Sequence, residues 1–218
     1  MIYLKSFKLS LHTVNNPNAY PYNVFRKITG EVLVFHNITV VYGNNGSGKS
    51  TLLNLMANKL KITGAEEITN NSHNIYPLDY ISECSYALGE NKSDGESDQL
   101  PYNSLYIKSE DILYEIKKIQ QEAVLKEGYL YQHSRLGYTK ERLEELKHSS
   151  QMYKQMKIMK FSNEKYSNGE TSMQIFDEYL VPNGLYLLDE PETSLSPTNQ
   201  IKLAEEINKL ARYFDCQF

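Results

Sequence analysis

A chain of 218 residues can bury one sizeable core, or one core carrying a subdomain, and is short for two independent domains. A formal charge of −4 argues against a general nucleic-acid-binding surface and leaves nucleic acid an open question restricted to local basic patches. No apolar run approaches the roughly 20 residues of a membrane span, the start lacks a signal-peptide core, and Cys84 and Cys216 have no metal spacing, so a cytoplasmic protein with reduced thiols is expected.

Residues 1–10 alternate apolar and polar side chains (Ile2, Leu4, Phe7, Leu9) and predict an edge strand, followed by a polar loop. Tyr20, Tyr22 and Phe25 cluster next; core packing explains them, and stacking on a base is the sharper alternative. Two apolar runs, 33–35 and 38–42, predict strands, the second leading straight into Gly43-Asn44-Asn45-Gly46-Ser47-Gly48-Lys49-Ser50-Thr51. Gly43, Gly48, Lys49 and Ser50 fill G-x-x-x-x-G-K-[ST] between a predicted strand and a predicted helix, the context that pattern requires. Glycines let the backbone wrap an anion so that N–H groups of residues 44–51 point inward, and the helix opening near Lys49 adds the positive end of its dipole. Lys49 brings mobile charge to the outer phosphates of a nucleotide, and the Ser50 hydroxyl is placed to ligate Mg2+. Leu52, Leu53, Leu55 and Met56 give that helix an apolar face.

From 61 to 102 the pattern dissolves into polar residues, with 89–100 reading as a solvated acidic loop. Residues 104–108 predict a short strand, after which Ser109 is placed to cap a helix from Glu110 with the stripe Ile112, Leu113, Ile116 and Ile119. A second helical stretch follows Thr139; its lysines, Lys154, Lys157, Lys160 and Lys165, read as a solvated face before they read as phosphate contacts. The organisation predicted is one α/β domain over 1–218, with 109–165 as an inserted helical subdomain.

Pro182, Asn183 and Gly184 make a turn, and Leu185 to Leu188 is a continuous apolar run of the kind found in a central parallel strand. It ends in Asp189-Glu190. Carboxylates at the C-terminal edge of such a strand lie where open α/β sheets bind ligands. Asp189 is assigned to the Mg2+ shell and Glu190 to orienting a water in line with the γ-phosphate, as catalyst. Ser196 and Pro197 start a final helix, for which Ile201, Ala204, Ile207, Ala211 and Phe214 are the expected core face.

Tyr166-Ser167-Asn168-Gly169-Glu170, upstream of the carboxylate strand, resembles a degenerate form of the Leu-Ser-Gly-Gly-Gln signature of ABC-type ATPases. Together with Gly-Leu-Tyr-Leu-Leu-Asp-Glu-Pro-Glu at 184–192 and Ser-Leu-Ser-Pro at 194–197, it is similar to small stand-alone bacterial ATPases of the ABC class, over residues 35–218. The resemblance implies a P-loop NTPase fold with a mostly parallel central sheet and an antiparallel edge portion, ATP and Mg2+ as cofactors, and a head-to-tail homodimer formed with ATP. In that dimer Ser167, Asn168, Gly169 and Glu170 would meet the other subunit's nucleotide in trans, and 194–197 would line the seam. An S-x-x-E capping box is the plainer reading of the same residues. Two departures stand out: Ser109-Glu110 replaces the class's glutamine after the strand, and none of the five histidines takes the place of its switch histidine, which implies a shortened or slowly hydrolysing chain. The functional expectation is an ATPase whose dimerisation drives an unidentified protein partner. A nucleotide-gated binding module with little hydrolysis is the alternative, and a small-molecule kinase has no use for the signature or for Asp189-Glu190.

Overall fold

The computed structural model describes residues 1–70, 75–89, 100–112, 135, 168–193 and 195–218. Most of the expected inserted helical part, 109–165, therefore lies outside the described residues, as does Ser167. The chain divides into two compact units: one of Met1–Lys108, Tyr179–Pro191 and Lys202–Phe218, the other of Ser109–Glu178 and Glu192–Ile201.

The first unit holds an antiparallel sheet of β1 (Leu4–Lys8), β2 (Val32–Val34) and β3 (Ser85–Leu88), in the order β2-β1-β3. β1 is thus the middle strand, not the expected edge: its partner β3 comes from the stretch read as irregular. Residues Pro77–Glu83 form α2, with Pro77 in the first turn where its missing N–H costs nothing. The four residues of β3 are too short a signal for a strand against so polar a surrounding.

The parallel layer is built on β4 (Leu105–Lys108) and β5 (Tyr186–Asp189), paired Leu105 with Tyr186 through Lys108 with Asp189. Thr63 bridges β4 on its other side, and Leu185 bridges Gln217, all in parallel sense. Phe218 extends that line: its N–H donates to the Asn37 carbonyl and its own carbonyl accepts from Thr39 N–H. The segment before the glycine loop consequently stands next to Phe218, but residues 38–42 do not form the predicted strand. Beyond Thr39 no backbone partner flanks them among the described residues, and Val40 and Tyr42 are 82% and 95% exposed. A β-branched run favours a strand only where a neighbour completes the ladder.

Helix α1 (Lys49–Leu60) packs on β4, β5 and α2, burying Leu52, Leu55, Met56, Ala57 and Leu60. These meet Leu4, Phe7 and Leu9 from β1 and its exit, with Tyr80, Leu185 and Leu187, in one core. Each such side chain contributes roughly 1.5–3 kcal/mol by leaving water. Tyr22 and Phe25 are buried there too, their rings 4.7 and 5.8 Å from that of Tyr80, so the bland reading of those two aromatics holds and only Tyr20 remains partly exposed.

Helix α3 (Asn168–Tyr179) leads towards the turn before β5, and α4 (Pro197–Tyr213) begins at the expected proline, with Ser196 Oγ accepting from Asn199 N–H at 3.4 Å. The face expected for α4 is met at Ala211 and, half-buried, at Ile207, and is missed at the other three positions. Leu203, Leu210 and Ala211 are buried, whereas Ile201 is 62% exposed and Ala204 and Phe214 also face solvent. The buried stripe keeps a strict helical period through 203, 207, 210 and 211, and the apolar residue Ile201 simply stands outside it.

Candidate functional site

Gly43 to Thr51 form a tight turn followed by a helix start. Ser47 N–H donates to the Asn44 carbonyl at 3.0 Å, Gly46 and Gly48 adopt φ of +76° and +95°, and Leu52 N–H closes the first helical bond on Gly48. A Cβ on Gly43 would lie 2.6 Å from Ser47 Oγ, and one on Gly48 would lie 2.5 Å from Val24 Cγ1. The loop therefore closes on itself and against the 19–26 segment at distances only glycine permits. Tyr20, from that segment, reaches Thr51 Oγ1 at 3.4 Å.

Gly48 caps α1 without any side-chain hydrogen bond, and among the described residues the first-turn N–H groups of Lys49, Ser50 and Thr51 have no side-chain acceptor. Asn44, Asn45, Gly46, Ser47 and Ser50 are exposed. An open turn of N–H donors at the positive end of a helix is a site for an anion. Lys49 lies over it, its Nζ donating to the carbonyls of Gly43 (3.0 Å) and Asn44 (3.3 Å) and standing 3.8 Å from Glu190 Oε1.

The structure thus brings the glycine loop and the predicted carboxylates together. Asp189 ends β5 and is buried, and its Oδ2 accepts from the Tyr106 hydroxyl at 3.2 Å. Glu190, the next residue, has φ of +48°, an uncommon conformation for a non-glycine residue that turns the chain at the sheet edge. Among the described residues no three His, Cys, Asp or Glu cluster as a metal site. A cation here would be held as Mg2+ usually is, by one carboxylate, a hydroxyl and the phosphates it accompanies, and Asp189 and Ser50 are suited to it. Asn168, Gly169 and Glu170 open α3, in the other unit, and Ser167 and Ser194 lie outside the described residues.

Two contributors escaped the sequence reading. Tyr106 reads in the sequence as one residue of a strand, although a polar-tipped aromatic in the strand beside a carboxylate is a recognisable signal. The other is a clasp on the loop beside the site: Glu83 at the end of α2 accepts from Tyr22 (2.8 Å) and Ser10 and pairs with His12 Nδ1 (2.8 Å). Burial pushes the Glu83 carboxyl up, but the hydrogen bonds from Ser10, Tyr22 and His12 outweigh it and leave its pKa below the ordinary carboxylate value. Burial, with the bond to Glu83, raises the Tyr22 phenol. Burial likewise raises the Cys84 thiol to about 11, which keeps it protonated and a poor nucleophile at neutral pH.

A self-closing glycine turn at a helix start, a lysine over it and a carboxylate pair at the adjoining strand end define a P-loop nucleotide-binding protein. A family model described as ABC transporter matches residues 33–193, which include the loop and both carboxylates, and the chain belongs to that family of ATPases. Binding of ATP and an ATPase activity in general follow from this membership. No curated protein and no solved structure matches the chain. Among the described residues no helix is long and apolar enough to cross a membrane.

Proposed function

We propose that the chain binds Mg-ATP on residues 44–51 and hydrolyses it, with Glu190 as the group that orients the attacking water. One observation carries this reading: Lys49 Nζ stands over the loop and 3.8 Å from Glu190, so the residue that would hold the outer phosphates and the one that would face the γ-phosphate are neighbours. Mg2+ supplies charge neutralisation between phosphates, and Ser50 and Asp189 are the residues that would hold it. The loop N–H groups and Lys49 bind and orient the phosphates. Glu190, half-exposed and adjacent, accepts a hydrogen bond from water in line with the leaving group, which is most of what phosphoryl transfer asks of a protein.

The reading extends to a cytoplasmic, head-to-tail homodimer in which Ser167, Asn168, Gly169 and Glu170 of each subunit complete the other's site, with dimerisation passed to an unidentified protein partner. Support comes from the S-x-x-E pattern at the start of α3, since donors at a helix start suit a phosphate as well as a cap. A ligand bound more tightly by the dimer must favour it, and ADP, lacking the γ-phosphate, should not. Sedimentation with Mg-ATP, with Mg-ADP and without nucleotide tests this. A dimer with ATP alone, abolished by Ser167→Arg while monomer binding of ATP persists, is expected. A wild-type chain that binds ATP and stays monomeric at high concentration would leave the ATPase reading standing and remove the dimer.

A further inference from the structure

We infer that Tyr106 is a positioning residue for Asp189, fixing the carboxylate through which the site would accept Mg2+. The inference rests on the Mg-ATP reading above and goes beyond it by naming the residue that prepares the cation's place. Tyr106 is 2% exposed on β4, and its in-register neighbour on β5 is Leu187, two residues before Asp189. Its hydroxyl therefore reaches along the sheet to the last residue of β5 and donates to Asp189 Oδ2 at 3.2 Å, in a buried contact. That bond engages one of the two carboxylate oxygens and so fixes the plane in which the other can act.

The ring is itself held. Tyr106 N–H donates to the Thr63 carbonyl at 2.9 Å, and the Lys108 ammonium lies 5.7 Å from the ring centroid while pairing with Glu66. A cation over an aromatic face and a strand backbone bonded on both edges leave the phenol little freedom to turn away. Among the described residues the Tyr106 hydroxyl is the side-chain partner of Asp189, which stands at a strand end, 7% exposed, next to a residue in a left-handed conformation. Partners that orient a ligating carboxylate typically change metal affinity by 10–100-fold when removed.

The test uses the full chain, a non-hydrolysable ATP analogue and Mg2+, with Mn2+ as a spectroscopic substitute. The readout is the metal concentration that half-saturates metal-linked nucleotide binding. Tyr106→Phe keeps the ring and removes the donor; it is expected to raise that concentration about tenfold and to broaden the spectrum of bound Mn2+. Nucleotide affinity in the presence of chelator should not change. In an Asp189→Asn background the same substitution should add nothing, because its effect passes through that carboxylate. An unchanged metal requirement in Tyr106→Phe overturns the inference, as does a loss of affinity equal with and without metal, or a full additional loss on top of Asp189→Asn. If wild-type binding itself shows no dependence on Mg2+, the Mg-ATP reading fails and the inference with it, an outcome distinct from failure of the tyrosine variant alone.

Discussion

Glu190→Gln separates two roles that one carboxylate would play. Unit charges 3.8 Å apart attract by about 1 kcal/mol in water and about 4 kcal/mol at an effective dielectric constant of 20. The Lys49 side chain is 18% exposed but that of Glu190 is 46%, so solvent screening governs and the pair is worth about 1 kcal/mol at most. An arriving phosphate must draw Lys49 away from that carboxylate and tolerate its charge nearby. Glutamine keeps the shape and removes both obstacles, so affinity for Mg-ATP should rise by up to about fivefold, the factor equivalent to about 1 kcal/mol. The gain should shrink in about 0.5 M salt, where exposed charges are screened within a few ångströms. Turnover should fall in the same variant, since the water loses its charged acceptor. Calorimetric titration at low and high salt gives the first quantity and phosphate release the second. Weaker binding at low salt would refute the reasoning, because Glu190 would then be a ligand of the cation and not a competitor for Lys49.

Gly48→Ala should abolish nucleotide binding and lower stability by about 1–3 kcal/mol, because alanine must adopt φ of +95° with its Cβ 2.5 Å from Val24; thermal unfolding and titration check it, and wild-type behaviour would count against the loop geometry. Glu83→Gln should cost about 1–2 kcal/mol at neutral pH through weakened hydrogen bonds to Ser10, Tyr22 and His12. With its folded pKa below the reference value of 4.5, the carboxylate stabilises fully above that pH and loses its contribution as pH falls through the lower folded value. The gap between variant and wild type, measured by denaturant unfolding from pH 7 to 3, should therefore close on acidification; a gap independent of pH would show that the clasp does not act through the charge.

The glycine loop, α1 and the carboxylate strand were legible because each is local: the chemistry of a phosphate-binding turn demands particular residues at fixed spacing, and a buried parallel strand demands an unbroken apolar run. Strand β3 and the central place of β1 were not legible, since pairing between Phe7 and Tyr86 joins residues far apart in sequence whose local pattern is weak. The strand predicted over 38–42 failed for the complementary reason, a strong local preference without a neighbour to satisfy it. In α4 the helix was legible and its inner face only in part, because Ile201 is apolar yet solvent-facing while Leu203 and Leu210 turn inward beside the expected Ala211. Tyr106 shows the same limit at the site: its hydroxyl acquires a meaning only when β4 and β5 are laid in register.

The amide of Gln217, 1% exposed, is inserted into the backbone of the first strand's entrance: its Oε1 accepts from Tyr3 and Leu4 N–H, each at 2.8 Å, and its Nε2 donates to the carbonyls of Leu4 (2.8 Å) and His36 (3.1 Å). Those donors and their acceptor are 214 and 213 residues apart. During synthesis on the ribosome, Tyr3 and Leu4 emerge well before Gln217, and their N–H groups find this partner only once the residues between have been made. Closing so long a loop costs little more entropy than closing a moderate one, but it slows the search. A nascent fragment that stops short of Gln217 keeps two strand donors open to water, or to any other acceptor it meets. The entrance of the first strand is thus sealed only once Gln217 has been made, late relative to the residues it binds.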